Sequence, residues 1–240
     1  MPTETIFIES ANDKVLIETK QSYNGIPCTE APTAILAHPY GPLGGHMNNN
    51  VVSSLHRYFV SQGYVVIRIN FRGCGESKGR TSWTGMAERG DYQAVIDHVL
   101  YSPDYASKYP KPSRLMICGY SYGSMIASSI EAPCSLPCFY LLISYPLSVT
   151  WALALFKASF FRSQITKLLD HYRNQEDAEG GVLIIYGDRD QFTSSKSYER
   201  WLENQIGGHV KAEVVKGADH LWFDYEQLLV TMVNKWLNGK

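Results

Sequence analysis

Six short apolar runs, at residues 33–37, 64–70, 114–118, 139–144, 182–186 and 211–215, alternate with longer stretches of helical character. Most are continuous in Val, Ile and Leu, as strands are when both faces of a sheet are covered. Segments 50–62, 86–101, 122–131, 195–206 and 222–237 carry the helical patterning between them. In the second of these, Tyr92, Val95, Ile96 and Val99 recur three and four residues apart and mark one apolar face. Strand and helix in alternation require crossovers of one hand, which predicts an α/β fold: a mostly parallel central sheet with helices on both faces. Ahead of this pattern, runs 5–9 and 14–19, joined by Ser10-Ala11-Asn12-Asp13, predict a hairpin. No repeat, low-complexity tract or linker interrupts the chain, so 1–240 reads as one domain.

Composition removes several function classes. The 22 basic and 23 acidic side chains leave a net charge of -1, which gives no electrostatic basis for a nucleic-acid partner. Cys134 and Cys138 have C-x3-C spacing without a second Cys/His pair at ligand spacing, so no metal is expected. The scattered, odd set of five cysteines suits free thiols and a cytoplasmic location. Met1-Pro2-Thr3-Glu4-Thr5 lacks the basic and apolar regions of a secretory leader. Residues 132–156 carry no charge, yet Pro133, Pro137 and Pro146 interrupt them. A strand running into an apolar helix is expected there, not a membrane span, with peripheral contact left open.

The chemistry lies in 115–123, where the apolar run Leu115-Met116-Ile117-Cys118 leads into Gly119-Tyr120-Ser121-Tyr122-Gly123 and then a helix. A strand that turns at once into a helix holds the turn residue in a strained conformation with its side chain at the sheet edge. That context separates this G-x-S-x-G from the many that arise by chance, and makes Ser121 the expected nucleophile. A serine hydroxyl needs a base. Of seven histidines, His220 alone combines a loop, a strand end and a late position in the chain. His56, His98 and His171 fall in helical stretches, His209 in a Gly-rich turn, and His46 among glycines and asparagines. The acid should orient the imidazole from the end of another strand. Asp190 in Gly187-Asp188-Arg189-Asp190 is the choice, with Asp188 as runner-up, because Asp219 adjoins the histidine too closely. For an oxyanion, one backbone donor should follow the nucleophile, at Tyr122, and another should come from His38-Pro39-Tyr40-Gly41-Pro42. Pro39 and Pro42 have no N–H, which leaves Tyr40, or else Gly41.

Over nearly its whole length the chain resembles the α/β-hydrolase superfamily, and within it the small, minimally capped hydrolases of the dienelactone-hydrolase-like or peptidase S9/S15-like kind. The resemblance is carried by His38-Pro39-Tyr40-Gly41, Asn70-Phe71-Arg72-Gly73-Cys74-Gly75-Glu76-Ser77, Gly119-Tyr120-Ser121-Tyr122-Gly123, Gly187-Asp188-Arg189-Asp190 and Asp219-His220. It implies an α/β-hydrolase fold, with Ser121 as nucleophile, Asp190 as acid, His220 as base, and a structural role for the loop with Arg72. No metal or organic cofactor is implied. His-Pro replaces the His-Gly of many relatives, and a serine stands where dienelactone hydrolases carry cysteine.

Residues at about 147–180 are expected to form a short helical cap. Trp151, Leu155, Ala158, Ile165 and Leu168 fall near helical spacing, with Leu153, Phe156, Phe160 and Phe161 beside them. Packing on the sheet is the plainer expectation for this helix. A lid over the substrate is the functional one, with Trp151, Leu155 and Phe160 as binding residues. The functions consistent with the sequence are a hydrolase of small carboxylic esters or thioesters, a peptidase or amidase on small substrates, and a non-catalytic binding or scaffold protein. The intact Ser121, Asp190 and His220 weigh against the last.

Overall fold

The computed structural model describes residues 3–133, 135–176 and 178–239. Met1 and Pro2 of the leader argument and Cys134 of the C-x3-C spacing lie outside them. Successive side chains of a strand point to opposite faces, and here the two sets enter two apolar layers. From β3 (Glu30–Ala37) and β5 (Lys111–Tyr120), Ile35, Ala37, Leu115 and Ile117 enter one layer, while Ala34, Leu36, Met116 and Cys118 enter the other. Each fully buried Ile or Leu contributes about 1.5–3 kcal/mol, so covering both faces selects continuous apolar runs.

These two strands lie at the centre of an eight-stranded sheet. The others are β1 (Thr3–Glu9), β2 (Leu16–Ser22), β4 (Val65–Ile69), β6 (Cys138–Ile143), β7 (Gly180–Gly187) and β8 (Val210–Val215). Their order is β1-β2-β4-β3-β5-β6-β7-β8. The pairs β1–β2 and β2–β4 are antiparallel, and every later neighbour is parallel. α1 (Asn50–Ser61) and α8 (Glu226–Asn238) cover one face through Val51, Leu55, Phe59, Leu229, Val233 and Trp236. α2 (Met86–Tyr101), α4 (Tyr122–Ala127), α6 (Ala158–Asn174) and α7 (Ser195–Leu202) cover the other, with Tyr92, Val95, Met125, Phe161, Ile165 and Tyr198 buried there. The short α3 (Pro103–Lys108), capped by Ser102, is not foreseen from periodicity, since six residues are too few to show a repeat.

Helix boundaries differ from expectation in four places: α4 and α7 end four residues early, at Ala127 and Leu202, and the other two come from breaks in the helical path. α8 begins at Glu226 because Trp222 and Asp224 hold positive φ, 63° and 68°, and break the helical path. The buried Trp222 instead donates its indole N–H to Ser144 Oγ at 3.0 Å. Between β6 and β7 the expected continuous helix is broken in two. α5 (Thr150–Ala154) ends at Leu155, whose φ is 35°, and one 3-10 turn precedes α6. The break lets Phe161, Ile165, Leu169 and Tyr172 of α6 pack on the sheet, while α5 sends only Ala154 into the same apolar layer. No helix among the described residues is long and apolar enough to cross a membrane.

The loop after β4 is tied to the hairpin and to α2 by a buried guanidinium. Arg72 donates to Asp91 from Nη2 (2.6 Å) and Nε (3.0 Å), to Asp13 from Nη1 (2.7 Å), and to Ser10 Oγ (3.1 Å). Each lone pair or donor left bare here would cost several kcal/mol, so removing one partner is far worse than never having the pair.

Candidate active site

The parallel strands deliver their following loops to one edge of the sheet. β5 passes into α4 through a single residue, Ser121, at φ 54° and ψ −118°. Such a backbone costs about 1–3 kcal/mol and persists only where its surroundings impose it. Here the Ser121 N–H is held by the Ile143 carbonyl at 2.8 Å, and its carbonyl accepts from Ser124 Oγ at 2.6 Å. The flanking glycines are required by space. A Cβ on Gly119 would strike the Gly123 carbonyl, and one on Gly123 would lie 2.7 Å from the carbonyl oxygens of both Ala37 and His38.

His220, on the loop after β8, lies between Ser121 and Asp190. Its Nδ1 is 2.7 Å from Asp190 Oδ2 and its Nε2 is 2.8 Å from Ser121 Oγ. With Nδ1–H donated to the carboxylate, Nε2 is left to accept the serine proton. Asp190 is held in turn by the Phe192 and Thr193 N–H groups, at 2.8 and 3.0 Å on Oδ1. The His220 backbone is fixed by Tyr120, whose hydroxyl donates to its carbonyl (2.5 Å), and by Gln191 Oε1, which accepts its N–H (3.0 Å). Phe192 meets the ring edge-on, with centroids 4.5 Å apart. All three side chains are at least nine-tenths buried. The other two acids are otherwise engaged: Asp188 accepts from the Gly217 N–H, and Asp219 from the Leu221 and Trp222 N–H groups.

The loop after β3 is pinned by a second imidazole that sequence reasoning passed over. His38 is fully buried, and its Nε2 accepts the Phe71 N–H at 3.0 Å. Nδ1 therefore carries the proton and donates to the Pro39 carbonyl at 2.5 Å. Burial pushes its pKa down to about 4, so the ring stays neutral. Tyr40 beyond it borders the cleft, and the rings of Tyr40 and Tyr122 meet at 5.1 Å. Among the described residues, neither the Tyr40 nor the Tyr122 N–H is taken by a backbone acceptor. At Gly41, Cys74 Sγ fills the place a Cβ would need.

Ser121 and His220 open into a cleft of about 410 Å³. Its apolar walls are Leu43, Val149, Ala152, Leu153, Phe192, Leu221 and Phe223. Trp151, Leu155 and Phe160, the substrate-binding expectation, do not line it. α5 is too short for the long helical stripe they implied; it presents Ala152 and Leu153 to the cleft, beside the preceding Val149, while Trp151 points to solvent. Phe160 belongs to α6, beyond the break, and packs on Phe161 and under Arg89. The wall residues had a readable signal: Phe192 stands two residues after Asp190, and Leu221 and Phe223 follow His220. Cavities of about 470, 680 and 800 Å³ lie elsewhere, and none contains Ser121 or His220. Cys28, Cys74, Cys118 and Cys138 are free thiols, and burial raises Cys74 to about 11. Among the described residues no group of three or more His, Cys, Asp or Glu side chains is placed to hold a metal ion.

The model of the X-Pro dipeptidyl-peptidase family, S15, matches residues 20–139, half of the 240-residue chain. The chain belongs to the S15 family. It is 29% identical over 197 residues to an uncharacterized protein of Rickettsia prowazekii, covering 80% of this chain and 72% of that one. Among solved structures it is similar to an alpha-beta serine hydrolase homologue from Coxiella burnetii, with a TM-score of 0.73, 23% identity, and 97% and 96% of the two chains covered. It is also similar to a Pyrococcus furiosus esterase, with a TM-score of 0.74, 18% identity, and coverage of 99% and 92%. A serine hydrolase without lid from Xanthomonas campestris gives a TM-score of 0.71 at 20% identity, with 99% and 95% covered. This S15 member thus has the α/β-hydrolase fold and is a hydrolase of that superfamily.

Proposed function

We propose that this chain is a serine hydrolase that cleaves small carboxylic esters or thioesters through an acyl-enzyme on Ser121. The observation that carries the reading is the continuous hydrogen-bonded chain from Asp190 Oδ2 through His220 to Ser121 Oγ, at 2.7 and 2.8 Å, opening into an apolar cleft. Ser121 Oγ attacks the acyl carbon as its proton passes to His220 Nε2, and the Asp190 carboxylate stabilises the resulting imidazolium. The developing oxyanion is met by the Tyr40 and Tyr122 N–H groups, which need no reorganisation to reach it. Collapse breaks the bond to the alcohol or thiol, which leaves with the proton from His220. Water then repeats the sequence on the acyl-serine and releases the acid. Residues 1–240 act as one domain, with about 147–180 as a short cap, in the cytoplasm, where the free thiols persist.

Membership in S15 favours a second reading, a peptidase or amidase on small substrates, which would use the same side chains. Turnover of p-nitrophenyl butyrate tests the first. Wild type should hydrolyse it with saturation, and Asp190→Asn, which removes the acceptor that fixes the imidazole tautomer, should lower kcat on the order of ten-thousandfold. Equal turnover by the variant would overturn the assignment of Asp190.

A further inference from the structure

We infer that the acyl side of this cleft takes an uncharged, apolar acyl chain and excludes the free-amine dipeptide for which the family is named. The inference rests on the serine-hydrolase reading above and specifies its substrate. An X-Pro dipeptidyl-peptidase substrate carries an α-ammonium two residues before the scissile bond. Against apolar walls such a group needs a fixed anion, because an ammonium that gives up part of its hydration there gains nothing in return.

No Asp or Glu side chain is among the residues that line this cleft. Asp190 spends Oδ2 on His220 and Oδ1 on the Phe192 and Thr193 N–H groups. Glu88 is fully buried and held by the Ser82 N–H and hydroxyl. Glu226 accepts from Asn50 Nδ2 and faces a different cavity. Asp219 caps the N–H groups of Leu221 and Trp222 and accepts from Gln191, and Asp188 caps Gly217. None of these carboxylates reaches the lining, where the polar side chains other than Tyr40, Tyr120, Ser121 and His220 are the amides of Asn49 and Asn50.

The rest of the lining selects for hydrocarbon. Leu43, Val149, Leu153, Phe192, Leu221 and Phe223 line it together with the small, exposed Ala152. At the volume a liquid water occupies, about 410 Å³ holds on the order of a dozen heavy atoms, which suits a medium-length acyl chain with its ester group.

The test begins with fluorophosphonate labelling, to establish a competent serine, and proceeds to matched p-nitrophenyl esters. Across acetate, butyrate, hexanoate, octanoate and palmitate, kcat/KM should rise to a maximum at butyrate to octanoate and then fall. Against hexanoate, the ω-amino hexanoate ester, identical but for a terminal ammonium, should lose at least about tenfold in kcat/KM. Alanyl-prolyl p-nitroanilide should not be turned over. Ala152→Trp, at an exposed position that folding does not depend on, should move the chain-length optimum to acetate. Turnover of the ω-amino ester equal to that of hexanoate, or alanyl-prolyl p-nitroanilide cleaved as fast as the esters, would overturn the inference while leaving the hydrolase intact. A protein that takes no label and cleaves no ester would instead overturn the hydrolase reading and the acyl preference with it.

Discussion

His38 and His220 are both buried imidazoles at one edge of the sheet, and their hydrogen bonds give them opposite tasks. His220 turns Nε2 toward Ser121 and is placed to exchange a proton with it. His38 has both nitrogens committed to backbone groups and holds the loop that carries Tyr40. The consequence is a pH dependence with a definite sign. An unfolded chain protonates this histidine near 6.5, while the folded ring resists until about 4. Stability from the neutral ring is therefore full above pH 6.5, declines as pH falls, and levels off below about 4, a swing of about 3 kcal/mol. Urea unfolding at pH 7 and pH 5 should show wild type losing more stability than His38→Gln, which keeps an acceptor for Phe71. His56, also lowered to about 4, titrates in the same window and is common to both proteins. Ser121, Asp190 and His220 were legible as residues because strand ends and chain order left each few competitors. His38 was not, since nothing in His38-Pro39 says that the loop after the neighbouring strand, 33 residues on, will offer the Phe71 N–H to it.

At the scale of elements, the turn from β5 into α4 works because two glycines let three backbone segments touch. Gly123→Ala would press a methyl group against the carbonyls of Ala37 and His38, both 2.7 Å from its position. The cost should be about 1–3 kcal/mol, read as a thermal midpoint lowered by about 2–4 °C per kcal/mol. The loop that carries Tyr40 begins at those same carbonyls, so labelling of Ser121 should slow as well. The strands were readable because their burial on both faces leaves a mark in every position. α5 and α6 were not, because the break between them depends on one residue: Leu155 at φ 35° is a conformation no pattern of apolar spacing records. With a continuous helix, Trp151 and Phe160 belong to one stripe; with the break, they belong to different surfaces, and Val149 and Leu153 take the cleft.

The whole molecule joins an antiparallel hairpin to a parallel sheet, and Arg72 is the point where they meet. It links the loop after β4 to Asp13 of the hairpin turn and to the fully buried Asp91 of α2. Arg72→Met would leave Asp91 buried without its partner and should cost about 3–5 kcal/mol. Labelling of Ser121 in the folded fraction should be unchanged, because Arg72 touches no residue that lines the cleft. That separation of stability from chemistry matches the structural role the resemblance assigned to its loop. The central claim, that the strained serine between β5 and α4 is a nucleophile served by His220, is tested most directly by fluorophosphonate labelling read by intact mass. The account predicts a single adduct on the wild-type chain and none on Ser121→Ala. A well-folded wild type without an adduct, or an adduct that survives in Ser121→Ala, would contradict it.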